Sequence, residues 1–76
     1  MIAKIKKIWK RLDSDRMKMV VEYSMRDFGL TSEHAFRQNW IYLERIPEKH
    51  QGDLLRIVKN ALTLQIEEMQ SLLEAA

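Results

Sequence analysis

Residues 48–74, EKHQGDLLRIVKNALTLQIEEMQSLLE, hold the longest periodic stretch of the chain. Within it Leu55, Val58, Leu62, Gln65, Met69 and Leu72 recur at alternating intervals of three and four, which is the seam of a short coiled coil. Leu54, Ile57, Ala61, Leu64, Ile66 and Leu73 widen that seam to an arc of about 200°, taking 100° per residue. One neighbouring helix does not cover so wide an arc. The stretch is therefore expected to form the long central helix of a small all-α bundle and to keep apolar surface to spare. Gly52 weakens its first turn, so the regular part is expected to begin near Asp53.

Working backwards, Pro47 marks the boundary with the preceding helix. The residue before a proline is pushed out of the α region, and proline itself suits the first position of a new helix. The segment it closes, 32–46, is expected to turn Phe36, Trp40, Leu43 and Ile46 inward, with Tyr42 at the edge. Thr31 offers an N-cap for this helix, and Glu33 lies in its first turn, where a negative charge meets the positive end of the dipole. Gly29 is the expected C-cap of a helix over 15–28, because glycine enters the left-handed region at little cost. That helix carries Met17, Val20, Val21, Met25 and Phe28 on one stripe. Asp13-Ser14-Asp15 predicts a break or bend, since short oxygen-bearing side chains accept the free N–H groups of a new helix. Before it, residues 1–13 form a basic amphipathic segment. Ile2, Ile5, Ile8, Trp9 and Leu12 share one face, and Lys4, Lys6, Lys7, Lys10 and Arg11 fill the other. There is no internal repeat and no strand-like alternation. The expectation is one all-α domain over 1–76, a bundle of three or four helices with a long amphipathic C-terminal helix.

Composition narrows the functional classes. A chain of 76 residues buries only about 60% of the surface its unfolded form exposes, so its own core is marginal. With no cysteine, neither a disulfide nor a thiolate metal site adds to it. Stability is expected from well-packed helices or from association. The 13 Lys and Arg against 11 Asp and Glu leave a net charge of +2, below that of a dedicated nucleic-acid binder. The charge is uneven: the first segment is basic, and Glu67, Glu68 and Glu74 make the other end acidic. No run of about 20 apolar residues is present, and the N-terminus lacks the apolar core of a signal peptide, so a cytoplasmic protein is expected.

The residues that carry chemistry are sparse. His34 and His50 are the only histidines, and neither has a His or Cys three or four residues on; Asp53, three after His50, is a lone carboxylate. Both are expected at the surface. Asp13 and Asp15 read as helix caps, and Glu67-Glu68 as a solvated face. The only glycines, Gly29 and Gly52, do not make a phosphate loop or a dinucleotide fingerprint. No catalytic, metal or cofactor site is expected, and the chain is not expected to be an enzyme.

Three surfaces suited to binding remain. The first is the basic face Lys4, Lys6, Lys7, Lys10 and Arg11 with Trp9, which suits an acidic partner and, less well, an anionic membrane surface. The second is a helix-turn-helix candidate over Val20–Arg45. In Phe28-Gly29-Leu30-Thr31-Ser32-Glu33-His34-Ala35 a glycine turn is followed by a capped helix. The stretch Ser32-Glu33-His34-Ala35-Phe36-Arg37 looks like the start of recognition helices in LuxR-type regulators. That resemblance implies a DNA-reading face of His34, Arg37, Gln38, Ile41 and Arg45, in which Arg pairs with guanine and Gln with adenine. The third is the surplus apolar surface of the last helix, where Gln65 is the kind of polar seam residue that fixes register or partner choice.

Leu30-Thr31-Ser32-Glu33-His34-Ala35-Phe36, followed by a helical hairpin ending in a Leu54-Leu55 helix, is similar to the phycobilisome-degradation adaptor family of cyanobacteria. The similarity covers roughly the last two thirds of the chain. It implies a small helical-hairpin dimer that binds phycobiliproteins and a protease partner.

The leading expectation is a non-catalytic adaptor or regulator. It binds another protein, or itself as a homo-oligomer, through Leu55, Val58, Leu62, Gln65, Met69 and Leu72. A small DNA-binding regulator using His34, Arg37, Gln38 and Arg45 is the second.

Overall fold

A computed structural model describes residues 1–75 of the chain. Four helical elements follow one another: α1 (Ile2–Trp9), α2 (Ser14–Phe28), α3 over 33–42, and α4 (Glu48–Ala75). No strand occurs among the described residues, so the architecture is an all-α bundle with a long C-terminal helix. At 28 residues, α4 is about 42 Å long, and the longest dimension of the molecule is also 42 Å. The whole bundle is thus strung along this one helix. Gly52 lies inside α4, which begins at Glu48 rather than near Asp53.

The boundaries follow from local chemistry. Between α1 and α2, the Asp13 side chain accepts the Arg16 backbone N–H at 2.8 Å and caps α2. At the other end of α2, Gly29 takes a left-handed φ of 67°, and the N–H of Leu30 folds back to the Met25 carbonyl at 2.9 Å. Ser32, rather than Thr31, caps α3: its Oγ accepts the Ala35 N–H at 3.1 Å. Pro47 stands just before the first turn of α4, where His50 N–H reaches the Pro47 carbonyl and Gln51 Nε2 donates to the Ile46 carbonyl.

The structure corrects the reading of α3. It starts as an α-helix over Glu33–Ala35 and continues as a π-helix over Phe36–Tyr42. Wider winding moves the inward positions from an interval of three or four towards five. Phe36 and Ile41 are therefore the buried residues of this helix, Trp40 is half-buried, and Leu43 is exposed, while Ile46 is buried from the loop that follows. The helix ends at Tyr42, four residues short of Ile46. Glu44 then takes a left-handed φ of 57°, and Arg45 N–H reaches back to the Asn39 carbonyl.

The core is one cluster. From α1 and the turn after it come Ile5, Trp9 and Leu12, from α2 Val20 and Val21, from α3 and the loop after it Phe36, Ile41 and Ile46, and from α4 Leu54, Val58 and Ala61. Ser24 is fully buried among them. Packing couples α4 mainly to α1 and α2, while α3 leans on those two. Aromatic rings close the α3 end. Trp9 meets Phe36 edge-on at 6.4 Å, and Phe28 lies against Trp40 at 5.4 Å. His50, expected at the surface, is half-buried, with its ring 4.6 Å from that of Phe28 and stacked 5.7 Å from Trp40.

A Cβ added at Gly29 would meet no atom within 4 Å, so any cost there is conformational. Gly29→Ala is expected to lower stability by about 1–2 kcal/mol, measured by chemical denaturation, with the helical circular dichroism of the folded state unchanged.

Candidate interaction surfaces

Gln65 divides α4 in two. Its Oε1 accepts the Asp13 backbone N–H at 2.8 Å, and its Nε2 donates to the Arg11 carbonyl at 3.0 Å. The amide thus clasps the α1–α2 turn, and the seam position expected to set register between chains is used within this one. One turn on, Arg16 of α2 pairs with Glu68. Beyond Gln65, every residue from Ile66 to Ala75 is exposed.

Before Gln65 the buried stripe of α4 is Leu54, Val58 and Ala61. Of the expected binding residues, Val58 is 0% exposed and belongs to the chain's own core, so it is withdrawn from any outer surface. Leu55 and Leu62 stand half-buried beside that stripe. Met69 and Leu72 lie on the far half, exposed by 57% and 66%. The structure adds three residues that the seam reading left out of the binding set: Leu64, Ile66 and Leu73, the last 77% exposed. The wide apolar arc was their signal in the sequence.

Two flanks of α4 open into hollows. One, of about 610 Å³, lies against α1 and is lined by Ala3, Lys4, Lys7, Ile8, Arg11 and Leu62. The other, of about 310 Å³, lies against α2 and is lined by Met19, Tyr23, Ile57, Asn60 and Leu64. At 100° per residue, Leu62 and Leu64 face roughly opposite sides of α4.

The basic face of α1 is split by its packing. Lys4, Lys7 and Arg11 border the hollow beside α4. Lys6 and Lys10 turn the other way, to a hollow of about 280 Å³ shared with α3. There Lys6 Nζ donates to the Tyr42 carbonyl at 3.0 Å and lies 5.4 Å from the Tyr42 ring.

The same hollow receives the residues read as a DNA-facing set. His34 and Gln38 are exposed on it. Arg37 is half-buried, bonded to Glu33 at 3.1 Å and placed over the Trp9 ring at 5.4 Å. Ile41, expected outward, is 4% exposed because the π winding turns it in. Arg45 sits past the helix in the turn to α4 and does not line this hollow. The structure thus brings His34, Arg37 and Gln38 together with Lys6 and Lys10, and leaves Arg45 apart. With α1 along its side, α3 does not present the straight, free face that lies in a major groove.

The fold defines a small all-α protein, and no helix among the described residues is long and apolar enough to cross a membrane. Comparison with protein-family models, curated proteins and solved structures finds no match for the chain.

Each hydrogen bond of the Gln65 clasp is worth about 1 kcal/mol. Gln65→Leu is expected to cost roughly 1–2 kcal/mol in urea denaturation; an unchanged midpoint would show that the clasp does not hold the α1–α2 turn to α4.

Proposed function

We propose that this chain is a non-catalytic adaptor or regulator that works by binding protein through the apolar surface of α4. One observation carries the reading. Ile66, Met69, Leu72 and Leu73 stand 46–77% exposed on the half of α4 that lies past the Gln65 clasp. Ten residues at 1.5 Å each extend about 15 Å beyond Gln65. Contiguous apolar side chains on a small chain mark a surface that another macromolecule covers. A helix lays such a face into the groove or against the helix of a partner, with anchors at three- and four-residue intervals.

Other features fit the same reading. The two histidines stand apart, His34 in the open and His50 packed between Phe28 and Trp40, which suits structural rather than catalytic roles. The cations of α1 supply long-range attraction to acidic surfaces and set the rate of encounter, while apolar burial supplies the affinity.

The test is affinity capture from the native host's lysate with the full chain, after nuclease treatment and a wash at about 0.5 M salt, where exposed charge contacts are screened. The wild-type chain and the Arg37→Ala/Gln38→Ala variant are expected to retain the same protein in stoichiometric amount. The Leu64→Asp/Met69→Asp variant is expected to lose at least nine tenths of it. Loss of all bound material on nuclease treatment, or undiminished capture by Leu64→Asp/Met69→Asp, would overturn the proposal.

A further inference from the structure

We infer that the projecting half of α4 is covered by a second copy of this chain, laid antiparallel across it. The inference rests on reading α4 as an interaction surface, and it names the occupant of one of its two flanks.

Leu62, Ile66, Met69 and Leu73 recur at intervals of four, three and four, so they form one stripe along α4. At 1.5 Å per residue the stripe is about 16 Å long. Its near end, Leu62, opens into the hollow lined by Ala3 and Ile8 of α1. Its far end, Leu73, is the most exposed large apolar residue of the described chain.

Charge decides which helix fits. Around the near end stand Lys4, Lys7 and Arg11 from α1, with Arg56 and Lys59 on α4 itself. From Asn60 onward the sequence has Glu67, Glu68 and Glu74 and not one Lys or Arg; Arg16 of α2 takes Glu68, which leaves Glu67 and Glu74 to a second copy. The surface is therefore basic at one end of its apolar stripe and acidic at the other. Two copies laid parallel would bring like charges together. Laid antiparallel, each acidic half lies beside a basic half, and the two-fold axis repeats the favourable contact.

The spacing agrees with the charge. With the two-fold axis midway between Ile66 and Met69, Leu73 of one copy stands level with Leu62 of the other and enters the hollow beside Ile8. Glu74 then falls within one turn of the second copy's Lys59. Polar Gln70 and Thr63 stay at the margin. A foreign helix would have to reproduce this graded pattern, whereas the chain already carries its complement. The hollow formed by Tyr23, Ile57 and Leu64 lies on the opposite side of α4 and stays open for a different protein.

Sedimentation of the full chain from about 1 to 100 µM at near-physiological salt tests association, since the screening length there is about 8 Å and close pairs survive. A monomer–dimer equilibrium is expected. Leu73→Glu is expected to weaken it at least tenfold with unchanged helical circular dichroism, because Leu73 takes no part in the core. Orientation is read by cysteine pairing, which the absence of native cysteine makes clean. On mild oxidation, chains carrying Lys59→Cys mixed with chains carrying Glu74→Cys are expected to form mixed disulfide dimers in excess of either self-linked product. A wild-type monomer throughout the range, or a Leu73→Glu dimer as tight as wild type, would overturn the inference. So would preferential self-linking by Glu74→Cys, which reports a parallel pair. The lysate capture is read on a foreign protein, so a monomeric chain whose capture still depends on α4 would remove the second copy and keep the proposed function.

Discussion

The buried stripe Leu54, Val58 and Ala61 is the constraint on which the rest of the molecule depends. Both α1 and α2 are held against it, and α3 in turn is held by those two. None of the three residues is exposed. Ala61, with only a methyl group, ends the stripe, and Gln65 one turn later closes the arrangement by bonding to the α1–α2 turn on both sides. The stripe needs apolar packing up to that point and a polar clasp there. Past the clasp Arg16 of α2 still reaches α4 at Glu68, but the apolar side chains Ile66, Met69, Leu72 and Leu73 face outward.

Much of this was legible in the residues. The inward face of α1 follows from the spacing of Ile5, Trp9 and Leu12, and the stops at Asp13, Gly29 and Pro47 follow from capping chemistry and proline sterics. The position of the buried seam of α4 was not. Leu54-Val58-Ala61 and Leu55-Val58-Leu62 run side by side with nearly the same period, so periodicity alone does not separate them. Close approach of two helices favours the line with the small residue, and that preference is a tertiary effect. Gln65 shows the same limit. A polar residue in a seam signals a specific hydrogen bond, but whether the partner is another chain or this chain's own turn depends on a fold the spacing does not contain.

The winding of α3 was illegible for a different reason. Its sequence offers Trp40 and Leu43 at ordinary helical spacing, yet the chain buries Phe36, Ile41 and Ile46. Phe36 and Ile41 reach the core through the wider π turn, and the chain then reverses through Glu44, in a left-handed conformation that costs non-glycine residues about 1–2 kcal/mol, before Ile46 returns to the core. Burial of Ile41 and Ile46 offsets that cost. The same winding decides how the surface is read. It withdraws Ile41 from the outer face, and α1 lies beside that face, so the residues that resemble a recognition helix join the lysines of α1 around a shallow hollow. The basic face, single in the sequence, becomes two: one beside α3 and one beside the apolar stripe of α4.

The central claim is that α4 changes character at Gln65, from a core helix to a surface completed by another chain. Amide hydrogen exchange across α4, compared at about 1 and 100 µM, tests it most directly. A helical end without tertiary packing opens readily, so its protection depends on what covers it. Amides of residues 66–75 are expected to exchange far faster than those of Val58 and Ala61 in dilute solution and to gain at least tenfold protection on concentration. Equal, concentration-independent protection along the whole of α4 would show that the helix needs no second chain and would contradict the account.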